Sequence, residues 1–194
     1  MAAISSLCIY CGSSSRGRPS HHTAARRMGE ILAEEHIRLI YGGGSVGVMG
    51  MLADAVSNGG GEVIGIIPKF LDQLEVSCRD CTELIVTDSM HSRKQRMAEM
   101  ADGFVILPGG LGTLDELFEI MTWRQLGLHD KPIVVVNVDG YWASLTSLLD
   151  DIVEENYARP EHRDLLRIVE TVDDVLPAMA KMPPASVNVD AKWL

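Results

Sequence analysis

GFVILPGGLGTLDELFEIMTWRQLG, residues 103–127, contains two kinds of order in direct succession. Residues 103–108 form an apolar run of strand length, the pattern of a strand covered on both faces. Four turn-forming residues follow within five positions, Pro108, Gly109, Gly110 and Gly112. From position 113 to 127 apolar residues return at helical spacing. The same alternation runs through the chain. Apolar runs at 4–10, 37–41, 62–67, 83–87, 103–108 and 132–138 predict six buried strands. Segments 20–36, 46–58, 89–101, 113–127 and 141–156 have the spacing of amphipathic helices. Strands that alternate with helices return through crossovers and run parallel, so the expected fold is a single-domain α/β, doubly wound, Rossmann-like parallel sheet with helices on both faces.

In such sheets ligands bind beyond the carboxyl ends of the strands. Three loops there are rich in glycine or serine: CGSSS (11–15), YGGGSVGVMG (41–50) and LPGGLGTLDE (107–116). A strand that turns through glycine into a helix presents free N–H groups and the positive end of the helix dipole, which suit a phosphate. Glycine also lets the main chain approach closely, although glycine turns such as GGGSVG equally serve tight packing. Neither loop ends in Gly-Lys-Ser/Thr, so a nucleoside triphosphatase is not indicated. CGSSSRG lacks G-x-G-x-x-G, so a dinucleotide fingerprint is absent at the first strand. Two such loops converging on one crevice point to a monophosphate ester.

Composition bounds the remaining possibilities. The 194 residues are 46% hydrophobic and 23% charged, as in a soluble globular domain. We expect one nucleotide-binding domain over residues 1–181 and a flexible tail, MPPASVNVDAKWL, over 182–194. With 27 acidic against 17 basic residues the net charge is -10, which disfavours nucleic acid as a partner. Arg93, Lys94 and Arg96 form the densest cationic cluster, a place for one small phosphate or a solvated helix face. No apolar run approaches the roughly 20 residues of a membrane span, and MAAISSLCIYCGSS lacks a basic leader. A cytoplasmic protein without a membrane partner is expected. The pairs Cys8/Cys11 and Cys78/Cys81 stand too far apart in the chain for a zinc ribbon, whose pairs are about 15–20 residues apart. Reduced thiols and no metal are expected.

Thr113 and Glu116 admit two readings. Thr-x-x-Glu at a helix start is a capping box, which spacing alone favours. Yet Glu119 lies one turn beyond Glu116, and a second acid on that face is something capping does not require. Asp115 falls elsewhere around the helix.

PGGLGTLDE (108–116) fits P-G-G-x-G-T-x-x-E. Together with CGSS, YGGGSVGVMG, MHSRKQRM and TWRQLGLHDKPIVVVNVDGYW it resembles the LOG (Lonely Guy) family of cytokinin-activating enzymes, from about Ile4 to Tyr157. The resemblance implies a phosphoribohydrolase that splits the N-glycosidic bond of cytokinin riboside 5'-monophosphates, and of AMP, into free base and ribose 5-phosphate. It also implies a homodimer and no cofactor. Members have been labelled lysine decarboxylases, but a pyridoxal enzyme needs a lysine set for a Schiff base, and none of the five lysines has such a context. Carried over, the catalytic residues are Arg93 and Glu116. The substrate-binding positions implied are Gly12, Ser13, Gly42, Gly43, Gly44, Gly47, Glu75, Met90, Lys94, Gly109, Gly110, Leu111, Gly112, Thr113, Asp115, Glu119 and Thr122. Leu111 stands where plant relatives often carry tyrosine.

In the implied reaction positive charge builds on the ribose as the base departs, and a carboxylate beside the anomeric carbon stabilises it. Glu116 is expected in that role, kept ionised by Arg93, with His91 a candidate proton donor to the base. Trp123, with Ile120 and Met121, is a candidate apolar patch for a second copy. The alternative to catalysis is a nucleotide-binding carrier or sensor on the same fold.

Overall fold

The computed structural model describes residues 4–72, 78 and 81–183. Among them seven strands form one parallel sheet: β1 (Ser6–Tyr10), β2 (Arg38–Tyr41), β3 (Val63–Pro68), β4 (Glu83–Thr87), β5 (Gly103–Ile106), β6 (Ile133–Val136) and β7 (Arg167–Val169). Their order is β4-β3-β2-β1-β5-β6-β7. Six occupy the predicted runs. The seventh pairs with β6 through only three residues, too short to register as a run.

The helices are α1 (Pro19–Glu34), α2 (Gly47–Asn58), the single turn α3 (Lys69–Asp72), α4 (Met90–Met100), α5 (Leu111–Gln125), α6 (Ala143–Glu154) and α7 (Val175–Ala180). Pro19 opens α1 at a position where its missing N–H costs nothing. Ser89 caps α4, accepting from the Ser92 N–H at 3.1 Å while Ser92 Oγ accepts from Ser89 N–H. The capping reading at Thr113 fails: α5 begins two residues earlier, with Gly110 at its N-cap and no side-chain cap. Both Thr113 and Glu116 therefore lie inside the helix.

Successive strand residues face opposite sides of the sheet and build two cores. Leu7, Ile9 and Cys11 pack with α1, α2 and α7, through Met28, Leu32, Leu52 and Met179. Cys8 and Tyr10 pack with α4, α5 and α6, through Met97, Leu117, Ile120 and Leu145. Ile120 and Met121 are thus core residues and do not form the surface patch expected of them. The chain leaves β1 for β2 on one side and later enters β5 on the other. The crevice at the ends of β1 and β5 is the switch point of this sheet.

Two further expectations are corrected. Cys78 and Cys81 form a disulfide, their Cα atoms 5.7 Å apart, while Cys8 and Cys11 are free and buried. Met182, assigned to the tail, is buried in the core, and the Pro183 carbonyl accepts a hydrogen bond from Arg124. Packing thus reaches Pro183. Residues 184–194 lie outside the described residues.

Arg124 is only 1% exposed. Its guanidinium donates to the Leu165 carbonyl at 2.7 Å and the Pro183 carbonyl at 2.9 Å, and lies 3.5 Å from Asp130. Removing it leaves acceptors that cannot easily find water. Arg124→Ala is expected to lower stability by about 2–4 kcal/mol in urea unfolding. Arg124→Lys should recover only part, since a single ammonium lacks the planar fork that serves two carbonyls at once.

Candidate active site

A cavity of about 300 Å³ opens at the switch point. Its floor is the end of β1, Ile9, Tyr10 and Cys11, continued by Gly12 and Ser13. Gly42 and Met49 contribute from the second loop and α2, Met90 and Arg93 from the start of α4. The first turns of α5 supply Gly110, Leu111, Gly112, Thr113, Asp115 and Glu116. A larger groove of about 650 Å³ between α1 and α2 holds none of the predicted site residues.

Glu116 lines this cavity at 8% exposure. Burial pushes its pKa up to about 7, against the downward pull of the Arg93 charge and with Asp115 adding to the rise. Arg93 was expected to keep Glu116 ionised; desolvation outweighs it. Arg93 is itself buried, its Nη2 donating to the Gly42 carbonyl at 3.1 Å. Its Nε is buried with no hydrogen-bond partner among the described residues. A buried guanidinium donor without a partner is costly and is rarely kept without a use.

The glycines divide by role. A Cβ on Gly42 would collide with the Arg93 guanidinium, and one on Gly109 with the Thr113 hydroxyl. Gly47, at φ +69°, presses against the Ser13 carbonyl, while the Met49 N–H donates to Gly12 O at 3.2 Å. Gly43, at φ +76°, packs on Ile67 and Leu84. Gly43, Gly44 and Gly47 lie off the cavity wall, so this loop is largely a packing device; Gly42 alone of its glycines reaches the cavity. Gly110 and Gly112 differ, since a Cβ at either would meet nothing within 4 Å. At this helix start the main chain is left uncovered.

Lys94 donates to Asp115 at 3.0 Å and pairs with Glu119 at 3.1 Å, tying α4 to α5 beside the cavity. Burial would lower its pKa, but the two carboxylates raise it on balance. Asp115 and Glu119, one turn apart on the same face of α5, therefore share one partner. Lys94, Glu119, Gly109 and Thr122 do not line the cavity, and the Thr122 hydroxyl donates to the Phe118 carbonyl at 2.7 Å. His91 lines a separate cavity of about 440 Å³ with Trp123, Leu128 and His129. Glu75 lies outside the described residues. Sequence reasoning missed Ile9, Tyr10, Cys11 and Met49; the first three were legible as the end of the central strand.

Residues 49–179 match the family described as possible lysine decarboxylase. The chain is 42% identical over 186 residues to the probable cytokinin riboside 5'-monophosphate phosphoribohydrolase LOGL2 of Oryza sativa subsp. japonica, covering 96% of this chain and 76% of that one. It is also 42% identical over 186 residues to the cytokinin riboside 5'-monophosphate phosphoribohydrolase LOG3 of Arabidopsis thaliana, covering 96% and 86%. Among solved structures, the molybdenum cofactor binding protein of Rippkaea orientalis superposes with a TM-score of 0.69 at 20% identity, covering 91% of this chain and 96% of that one. The molybdenum cofactor carrier protein of Chlamydomonas reinhardtii gives 0.70 at 18%, with the same coverage. At such identity these two show the fold alone.

A raised pKa has a stability consequence whose sign is fixed. Glu116 holds its proton more tightly folded, near 7, than unfolded, near 4.5, so its contribution is complete below 4.5 and is lost as pH climbs through 7. The loss is on the order of 3 kcal/mol. Glu116→Gln removes this titration. Its melting temperature relative to the parent should rise by several degrees between pH 4.5 and pH 8 in calorimetry.

Proposed function

The chain belongs to the LOG family, and its residues 49–179 match the family described as possible lysine decarboxylase; from that membership we propose that it hydrolyses cytokinin riboside 5'-monophosphates, and AMP, to free base and ribose 5-phosphate. One observation carries the reading: a buried carboxyl group, Glu116, titrates near neutrality on the wall of a small cavity, with the Arg93 charge close by. An acid with a pKa near the working pH exchanges protons with water readily. Ionised, it is also the group that a developing ribosyl cation requires. The cation in turn favours the ionised form, so the carboxylate is stabilised most at the transition state.

The 5'-phosphate belongs at the start of α5, where Gly110 and Gly112 leave the backbone open and the helix dipole is positive. Arg93 brings a full positive charge and its unpartnered Nε to the same cavity. Leu111, 86% exposed, stands at the mouth with Met49 and Met90, an apolar rim for the base and its substituent. Lysine chemistry has no support: none of the cavity-lining residues is a lysine, and Lys94 is engaged by two carboxylates. A homodimer accompanies this reading, on the strength of Leu128, 69% exposed beside Trp123.

Incubation with AMP and with isopentenyladenosine monophosphate should release free base, detected by chromatography, with kcat/KM for the unphosphorylated nucleosides lower by about 100-fold or more. Glu116→Gln and Arg93→Ala should each reduce kcat by about 100-fold or more. The acid limb of kcat/KM should rise through about pH 7, because the ionised form of Glu116 does the work. Binding without turnover at high enzyme concentration would instead establish the carrier reading. Sedimentation velocity at micromolar concentration should give a species of about twice the 21.2 kDa chain mass.

A further inference from the structure

Tyr141 stands near the end of the stretch TWRQLGLHDKPIVVVNVDGYW without a role assigned to it above, yet its phenol donates to the Gly109 carbonyl at 2.6 Å across 32 positions of sequence. We propose that Tyr141 is a positioning residue for the phosphate: it turns the Gly109–Gly110 peptide so that the Gly110 N–H faces the cavity. The assignment rests on the proposed phosphoribohydrolase reading and specifies how one wall of that site is held.

The argument is geometric. In a trans peptide the C=O and N–H of one unit point in opposite directions, and no described peptide bond is cis. A Gly109 carbonyl held by Tyr141 therefore directs the Gly110 N–H away from Tyr141. Gly110 is a cavity residue and the N-cap of α5, where helix N–H groups lack partners within the helix. The preceding unit is held as well, for the Pro108 carbonyl accepts from the Gly12 N–H at 3.1 Å. With two glycines in succession this turn has little torsional preference of its own. External hydrogen bonds set its orientation.

Tyr141 is held in turn. Its ring meets His21 edge-on at 4.9 Å and Trp142 edge-on at 4.8 Å. The Trp142 N–H donates to Asn137 Oδ1 at 2.7 Å, fixing the base of the loop. Just before the tyrosine, Asp139 and Gly140 take φ of +50° and +70°, and a left-handed aspartate persists only where its surroundings enforce it. A tyrosine 39% exposed that merely covered surface would not need this arrangement.

Tyr141→Phe keeps the ring and removes only the donor. Inhibition constants and titration calorimetry with ribose 5-phosphate, AMP and adenosine separate phosphate binding from base binding. The expected result is a loss of about fivefold to tenfold in affinity for ribose 5-phosphate and AMP. Adenosine should stay within about twofold. The fall in kcat/KM for AMP should lie mainly in KM, at an unchanged melting temperature. Equal weakening of adenosine and AMP, or no weakening of either phosphate ligand, overturns the assignment. A parent protein that binds neither AMP nor ribose 5-phosphate overturns the functional reading together with it; a parent that binds both, beside a variant that binds them equally well, overturns the assignment alone.

Discussion

A carboxyl group withdrawn from water at the end of the central strand, with one guanidinium close enough to oppose its protonation, sets the terms for the rest of the site. Burial and Arg93 act on Glu116 in opposite directions, and burial prevails by enough to bring the pKa to about 7. A surface glutamate would be fully ionised at that pH, and one buried without Arg93 would be displaced further upward. The balance needs both helices in place, because Glu116 rides on α5 and Arg93 on α4. It also needs β1 between β2 and β5, since only that order places the α4 and α5 starts around one crevice.

The glycine-rich loops then divide the labour in a way that their similar composition conceals. In the 41–50 loop, glycine admits other protein atoms: the Arg93 guanidinium at Gly42, the Ser13 backbone at Gly47, strand side chains at Gly43. In the 107–116 loop, Gly109 admits the Thr113 side chain, whereas Gly110 and Gly112 border open space. The first set builds a platform for the guanidinium and for α2. The second leaves a helix start accessible to an anion. Lys94, bridging Asp115 and Glu119, ties together the two helices that carry Arg93 and Glu116. Tyr141 holds the Gly109 carbonyl of the turn that leads into α5.

Local signals account for the elements that were legible before any coordinates. Six strands and five helices follow from apolar periodicity, because each is buried on faces that the side chains must match. Arg93 and Glu116 were reached through motif resemblance, and the cavity brings both together. What escaped was decided at longer range. Strand β7 is three residues long and exists because β6 offers an edge. The start of α5 falls at Leu111, with Gly110 as its N-cap and Gly109 fitting tightly against the Thr113 side chain, which the Thr-x-x-Glu pattern does not express. Arg124, charged and near the end of a helix, reads as a surface residue until Leu165 and Pro183 bring their carbonyls to it.

The amino-acid order alone determined an alternating α/β chain, the direction of its strands and the loops where a ligand would be met, since these depend on periodicities of a few residues and on the geometry of glycine. Which loops touch, which glycines stay open and where the Glu116 proton equilibrium lies were decided only by the folded chain. Those properties depend on distances between groups tens of residues apart and on the exclusion of water, and neither is a property of any segment taken singly.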